Sequence, residues 1–175
     1  CLADTAAVEA VVFGPDGVAA GIGAGACLVD FSSIAPQATC DMAARLAQSC
    51  HAGWIDAPVS GGTAGAEAGT LVMMAGGDAA LIDAARPVLA ALASRVTRMG
   101  PVGTGQTTKL CNQLIVAANS LLVAEAVALA RASGVDASLL VPALGRCTLN
   151  TVAEQRSEVL AACEAFAKDG DSKAQ

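Results

Sequence analysis

The sequence predicts an α/β fold in its first part and helices alone in its second part. Short apolar runs, which are typical of buried strands, alternate with helical patterns through the first hundred or so residues. From Thr104 onward the signals are helical only, and residues 110–130 contain a single charged side chain, Glu125. We therefore expect a domain boundary between Met99 and Gly103.

The first elements are predicted from local signals in chain order. Asp4 has the side chain of a helix N-cap, and Gly14 marks the end of that helix. The apolar run 26–31 predicts a buried strand, and residues 36–50 have helical periodicity. Residues 54–56 predict a second short strand, which ends just before a proline.

The remainder of the first part continues this alternation. Residues 61–69 are rich in glycine and predict a loop, and residues 70–75 predict a third strand. Asp78 is placed to cap a helix in which Pro87 predicts a kink or a break. A fourth strand is predicted at residues 95–99.

The apolar stretch 110–130 is long enough to cross a membrane. Its polar side chains argue against that interpretation, because they are costly in hydrocarbon without partners. We predict instead that other helices or a second subunit bury this helix, which is expected to begin at Thr107 or Thr108. The polar side chains are those of Asn112, Gln113, Asn119 and Glu125.

Composition excludes several classes of function. The chain has 10 basic and 16 acidic residues, and this net charge of −6 leaves no basic patch for nucleic acid. Aromatic residues make up only 2%, too few for a base-stacking surface. With His51 as the only histidine, we predict no metal site. The seven cysteines form no CxxC pattern, which predicts buried free thiols and a cytoplasmic location.

Two glycine motifs allow a functional and a plain interpretation. GIGAGA (21–26) matches the dinucleotide-binding pattern G-x-G-x-x-G/A, but it precedes a predicted strand instead of following one, so we interpret it as a turn. Ser60, Gly61 and Gly62 follow a strand pattern, and successive N–H groups in such a loop can bind a carboxylate or a phosphate. An ordinary turn is the alternative for this segment.

A third feature is a polar face on the apolar helix. Lys109, Asn112 and Gln113 are spaced at i, i+3 and i+4, so their side chains share one face. A lysine close to a helix N-terminus is unfavourable unless an anion lies beside it. The pattern indicates either an anion-binding face or a lysine whose ammonium simply reaches solvent.

Three segments together resemble the β-hydroxyacid dehydrogenases, the family of 3-hydroxyisobutyrate dehydrogenase and tartronate semialdehyde reductase, related to 6-phosphogluconate dehydrogenase. The resemblance extends over roughly residues 1–140, and two of its motifs stand at the separation typical of the family. The segments are VDFSSIAP (29–36), DAPVSGGTAGAEAGTLVMMAGGD (56–78) and GPVGTGQTTKLCNQ (100–113).

The resemblance implies an enzyme that interconverts a small 3-hydroxy acid and its semialdehyde, with NAD or NADP as cofactor. Lys109 would be the catalytic general acid and base. The residues implied in binding the small carboxylate substrate are Ser60, Gly61, Gly62, Asn112 and Gln113. The residues implied in binding the cofactor are Leu2, Ala3, Ser33 and Lys168.

The resemblance also implies how the chain is organised. Residues 1–100 would be the C-terminal part of a Rossmann-type dinucleotide-binding domain, whose first βαβ unit with GxGxxG is missing from this sequence. Residues 101–175 would be an incomplete all-helical domain, which contributes to the substrate site and forms a homodimer or homotetramer through residues 104–132. The chain is thus expected to be a fragment that binds NAD(P)H weakly or not at all by itself.

Alternatives remain at this point. The Lys-Leu-x-Asn-Gln form at residues 109–113 is more similar to the 2-hydroxy-3-oxopropionate (tartronate semialdehyde) reductase branch. Imine reductases share the architecture but often lack the lysine. Outside the enzymes, the chain could be an inactive fragment that acts only as a helical dimerisation module. No nucleic acid and no membrane is expected as a partner in any of these cases.

Overall fold

A computed structural model of the protein describes residues 1–136 and residue 139. Helices and strands alternate along the described part, and one long helix follows them. The helices are α1 (Thr5–Phe13), α2 (Val18–Gly21), α3 (Pro36–Cys50), α4 (Gly62–Glu67), α5 (Ala79–Leu89) and α6 (Thr104–Ala132). The strands are β1 (Cys27–Asp30), β2 (Gly53–Asp56), β3 (Val59–Ser60), β4 (Leu71–Gly76) and β5 (Ala93–Gly100).

The five strands form one mixed sheet in the order β1-β2-β4-β3, with β5 paired to β4. β1 and β2 are parallel, from Cys27 opposite Gly53 to Asp30 opposite Asp56. β4 is parallel to β5 and antiparallel to β2 and β3. The α/β class is thereby confirmed. Because β1 and β2 run in the same direction, the segments that follow them leave the sheet at the same edge.

The predicted helix caps are confirmed. The Asp4 carboxylate accepts the Ala7 N–H at 2.8 Å at the start of α1. The Asp78 carboxylate accepts the N–H groups of Ala80 and Leu81 at the start of α5, at 2.9 and 3.3 Å. Each bond pairs an N–H group that has no partner within its own helix, which is why these sequence signals are informative.

Two local predictions are wrong. Residues 62–67 form α4 instead of a loop, since alanines interleave with the glycines and favour a helix. The buried Gly65 lets α4 approach the sheet, because a Cβ there would lie only 3.2 Å from the Leu71 side chain. α6 begins at Thr104 and not at Thr107, because a carboxylate distant in the sequence caps its first turn, as shown below.

Apolar side chains cover both faces of the sheet. Trp54 of β2 is buried in one cluster with Leu46 of α3 and Val8 of α1. Its neighbour Ile55 is buried in another cluster with Ile82 of α5. Successive strand residues point to opposite faces, so β2 lies between two helical layers and is held from both sides.

α6 exposes a series of large apolar side chains. Among the described residues it is the one helix long and apolar enough to cross a membrane, although helices of soluble proteins meet the same criterion. None of its most apolar window is buried by the described residues, so its predicted burial by other helices or by a second subunit stays a prediction. The exposed side chains are Leu110, Leu114, Ile115, Val116, Leu121, Leu122, Val123 and Leu129.

Five cysteines lie in the described part of the chain, and all five are free thiols. Cys1 and Cys111 are exposed, so the predicted burial is wrong for these two. Cys111 is exposed because it lies on α6, most of whose side chains are exposed. The partly buried ones are Cys27, Cys40 and Cys50, and the two outside the described residues are Cys147 and Cys163.

The chain divides into two compact units, Cys1–Val116 and Ala117–Gln175. Lys109 and the two predicted amides that follow it belong to the first unit, which also contains the whole sheet. The candidate site can therefore be described entirely within Cys1–Val116. The domain boundary predicted between Met99 and Gly103 stays a prediction.

Candidate active site

A fully buried carboxylate lies at the end of β2. Asp56 is the last residue of this strand and is 0% exposed. Its Oδ1 accepts the Gly103 N–H at 2.8 Å, and its Oδ2 accepts the Gln106 N–H at 2.9 Å. Both N–H groups stand at the N-terminus of α6, where they lack partners within the helix and where negative charge is favourable. Asp56 therefore caps α6 from another part of the chain.

The Gln106 side chain joins α6 to the segment after β1. This side chain is 1% exposed, and its Nε2 donates to the Ser32 carbonyl at 2.8 Å. Its Oε1 accepts the Ile34 N–H at 3.2 Å. The buried Ser32 hydroxyl in turn accepts the Leu2 N–H at 2.9 Å. Buried hydrogen bonds thus connect the start of α6, the segment after β1 and the first residues of the chain.

Lys109 reaches from α6 to the segment after β2. Its Nζ donates to the Val59 carbonyl at 2.8 Å, and the side chain is half-buried. Val59 directly precedes Ser60, so the ammonium lies beside the predicted anion-binding turn. Within the described residues the ammonium has no carboxylate partner, since the ion pairs there are Arg45–Glu9 and Arg86–Asp83. Its charge is therefore available to an anionic ligand.

A cleft of about 250 Å³ opens beside Lys109. Gln106, Lys109 and Gln113 line it from one face of α6, because residues three and four positions apart on a helix are neighbours. The remaining lining residues come from the start of α1 and from the segment after β1, Ser33 among them. The cleft thus lies between Lys109 and two residues, Ala3 and Ser33, that the resemblance implies in cofactor binding.

Ser60, Gly61 and Gly62 form a strand end and a helix start instead of a plain loop. Ser60 belongs to β3 and pairs with Val72 of β4. Gly61 and Gly62 follow with φ angles of 130° and 61°, which side chains with a Cβ rarely adopt. Both glycines are also exposed. The sharply turned backbone thus lies close in the sequence to Val59, whose carbonyl accepts the bond from the Lys109 ammonium.

The other predicted site residues are divided among several places. Ala3 and Ser33 line the cleft beside Lys109, whereas Leu2 lines a neighbouring apolar cavity of about 180 Å³. Lys168 lies outside the described residues.

The two predicted amides differ in position. Gln113 lines the cleft, whereas Asn112 does not, and the Asn112 amide donates to Gln113 Oε1 at 3.5 Å. Asn112 thus contacts the cleft through Gln113. GIGAGA (21–26) lies at the end of α2 and in the turn before β1, which confirms its interpretation as a turn.

Sequence reasoning missed Asp56 and Gln106 as site residues. Asp56 was only the end of a predicted strand, and Gln106 preceded the predicted start of the long helix. Their partners are 47 to 74 residues away in the sequence, so no local spacing connects them. The one available signal was a carboxylate at the end of an otherwise apolar strand, which requires a partner when it is buried.

The buried Asp56 carboxylate should make stability depend on pH. Burial raises the pKa of Asp56, and the N–H bonds from Gly103 and Gln106 lower it less strongly. The folded protein therefore binds this proton more tightly than the unfolded chain. The contribution of Asp56 to the free energy of unfolding is full below the ordinary aspartate pKa and falls as pH rises through the raised pKa.

The measurement is urea unfolding of the wild type and of Asp56→Asn, from about pH 4 to about pH 7. Subtracting the two free energies removes the contributions of all other titrating groups. We expect the difference, wild type minus variant, to decrease with increasing pH and then to level off. A difference that increases with pH would contradict the raised pKa.

Two protein-family models match the chain. One, described as the NAD binding domain of 6-phosphogluconate dehydrogenase, matches residues 1–100. The other, described as the NAD-binding of NADP-dependent 3-hydroxyisobutyrate dehydrogenase, matches residues 103–169. The first model alone extends over more than half of the chain.

Individual proteins show the same similarity. The NAD-dependent L-serine dehydrogenase of Pseudomonas aeruginosa is 40% identical over 79% of this chain and 46% of its own length. The 2-hydroxy-3-oxopropionate reductase of Escherichia coli is 42% identical over 76% of this chain and 45% of its own length. The chain spans about half the length of these relatives.

A solved structure of a related enzyme is also similar to this chain. The 3-hydroxyisobutyrate dehydrogenase of Mycobacterium tuberculosis, determined with L-serine, superposes with a TM-score of 0.72 at 34% identity. The similarity covers 82% of this chain and 48% of that one.

Proposed function

Because the chain belongs to the β-hydroxyacid dehydrogenase family, we propose that the protein is an oxidoreductase that interconverts a small 3-hydroxy acid and its semialdehyde. Its cofactor is NAD or NADP. The observation that supports this reaction is the half-buried Lys109 ammonium, which lies beside Ser60 and has no carboxylate partner among the described residues.

The arrangement provides a place for each part of the substrate. The exposed backbone at Gly61 and Gly62, together with Ser60, binds the substrate carboxylate. The Lys109 ammonium lies next to that group and holds the substrate hydroxyl. Gln113 lines the cleft beside Lys109 and orients the hydroxyl without adding charge. Asn112 supports Gln113 through its amide.

Lys109 exchanges the proton of the reaction. In the oxidation direction the neutral amine of Lys109 takes the hydroxyl proton and becomes an ammonium as the semialdehyde forms, and in the reduction direction the ammonium returns that proton. The bond to the Val59 carbonyl holds the side chain next to Ser60 between turnovers. When bound, the nicotinamide supplies the hydride acceptor or donor.

The described residues fit one end of the cofactor. A cleft of about 250 Å³ is below the usual range for a site that encloses a drug-sized ligand, so it is too small for a whole dinucleotide. Ala3, which has a small side chain, and the exposed Ser33 both line the cleft. Such residues suit the nicotinamide ring and its ribose. We assign Ala3 and Ser33 to the nicotinamide end, with Leu2 behind them. Lys168 remains a proposed cofactor contact.

A substrate panel tests the proposed function. The full-length protein is assayed with NAD and with NADP against 3-hydroxyisobutyrate, L-serine, 2-(hydroxymethyl)glutarate and, in reduction, 2-hydroxy-3-oxopropionate. We expect turnover of at least one of these acids. The matched control is isobutanol, which keeps the carbon skeleton of 3-hydroxyisobutyrate but lacks its carboxylate, and we expect no turnover of it. Equal rates with and without the carboxylate would contradict the proposed site.

The reductase of 2-hydroxy-3-oxopropionate is the alternative within the same chemistry. It is favoured by the form Lys-Leu-x-Asn-Gln at residues 109–113 and by the 42% identity to the Escherichia coli enzyme of that name. The reduction arm of the panel distinguishes the two, because that enzyme would prefer the semialdehyde of tartronate over the other compounds.

A second candidate function is a helical dimerisation module without activity. It is favoured by the exposed apolar side chains of α6, such as Leu121 and Leu122, which are 64% and 65% exposed in the described structure. In either case we propose that residues 104–132 join copies of the protein into a homodimer or homotetramer. Sedimentation of the protein tests this, and a monomer at micromolar concentration would contradict it.

We also propose a cytoplasmic location, because the five described cysteines are free thiols.

A further inference from the structure

The Asp56 carboxylate has no part in the proposed chemistry. It is fully buried and is absent from the residues that line the cleft, so it touches neither substrate nor cofactor. Burying a carboxylate is unfavourable unless hydrogen bonds compensate for lost water. A carboxylate buried in this way is expected to have a role, and its hydrogen-bond partners indicate which role.

Two connections join the segment after β2 to α6. The first is the Asp56 carboxylate, which accepts the N–H groups of Gly103 and Gln106. The second is the Lys109 ammonium, which donates to the Val59 carbonyl. Asp56 and Val59 are three residues apart, and so are Gln106 and Lys109. The carboxylate and the ammonium therefore hold the same two segments together, one helical turn apart.

Two glycines beside Asp56 allow α6 to pack closely against the carboxylate. A Cβ at Gly76 of the neighbouring strand would lie 2.5 Å from Asp56 Oδ1 and 2.8 Å from the Gly105 nitrogen. A Cβ at Gly105 would lie 2.7 Å from Asp56 Oδ2. Only glycines at these two positions allow the first turn of α6 to rest on the carboxylate, so the helix has little freedom to slide or rotate there.

We propose that Asp56 is a positioning residue that fixes the first turn of α6 and so sets where the Lys109 ammonium stands in the cleft. The inference rests on the proposed function, in which Lys109 exchanges the substrate proton. An ionised carboxylate accepts both N–H groups at once. An asparagine in its place accepts one and directs its NH₂ group at the other, which displaces the helix start.

The test is Asp56→Asn in the full-length protein. We expect kcat to fall by about 10- to 100-fold, because a displacement of about 1 Å at a reacting group can reduce the rate this much. The KM for the hydroxy acid and the dissociation constant for NAD(P)H should stay near those of the wild type, since no binding group is removed. A residue with a merely structural role would change stability without this separation of kcat from KM.

Asp78→Asn is the matched control. The Asp78 carboxylate caps α5 by accepting the N–H groups of Ala80 and Leu81, both at Oδ1, and no proposed site residue lies on α5. Because asparagine keeps this acceptor oxygen, we expect the control to change the stability of the fold little and to leave kcat unchanged.

Lys109→Ala distinguishes a failure of the positioning role from a failure of the proposed function. If it is inactive while Asp56→Asn keeps the wild-type kcat, the positioning role is refuted and the proposed function stands. If Lys109→Ala keeps its kcat, the proposed function and the inference both fail. Should Asp56→Asn not fold, Asp56→Ser, which is smaller and keeps one acceptor, is judged by the same separation of kcat from KM.

Discussion

Lys109→Ala is expected to lower kcat of the full-length protein by about 10²- to 10⁴-fold, the usual contribution of a positioned general acid or base. The affinity for NAD(P)H should be nearly unchanged, because the ammonium contacts the segment after β2, at Val59. Stopped-flow or steady-state kinetics with the best substrate of the panel measures the first effect, and fluorescence titration with NAD(P)H measures the second.

Lys109→Arg distinguishes proton exchange from simple attraction of the substrate carboxylate. Arginine keeps the positive charge but does not deprotonate in proteins, so it cannot act as a base. We expect it to be nearly as inactive as Lys109→Ala. Wild-type turnover in the arginine variant would limit the role of Lys109 to binding. Arg95→Ala, at an exposed position on β5 that does not line the cleft, is the control and should retain full activity.

Gly105→Ala is expected to disturb both the fold and the site. Its Cβ would lie 2.7 Å from the Asp56 carbonyl oxygen and would contact the Met74 carbonyl oxygen even more closely. Both contacts are backbone atoms of the sheet, which cannot move aside as a flexible side chain can. We expect a loss of about 1–3 kcal/mol in the free energy of unfolding, as for other overpacked sites. Urea unfolding measures it.

Gly23→Ala is the control for the glycine effect. A Cβ at Gly23 meets nothing within 4 Å, and the residue has no left-handed φ. The same change of residue should therefore be neutral there, or stabilise the fold by restricting the unfolded chain. Equal destabilisation by Gly105→Ala and Gly23→Ala would show that the close approach of α6 to the sheet is unimportant.

Predictions from local signals were accurate wherever neighbouring residues determine the structure. Asp4 and Asp78 cap the helices that they were predicted to cap, because the N–H groups that they accept lie two or three residues away. The helix over residues 36–50 was predicted with its observed bounds, since its apolar spacing follows the helical period.

Predictions failed where distant residues act on a segment. α6 begins at Thr104 because Asp56, 47 residues before Gly103, caps its first turn. This partner is not visible in the sequence around α6. Residues 62–67, by contrast, form a helix for a local reason, since alanines interleave with the glycines there and favour it.

In the candidate site, too, some features follow from local sequence and others from contacts between distant residues. The sequence alone determined the alternation of strands and helices and the presence of a lysine among amides, and by resemblance it indicated the family. Only the tertiary structure decided that the Lys109 ammonium bonds to Val59, that Gln113 but not Asn112 lines the cleft, and that Asp56 lies beneath the helix. The reason is physical: periodicity and capping depend on residues within a turn or two, whereas burial brings together groups about fifty positions apart.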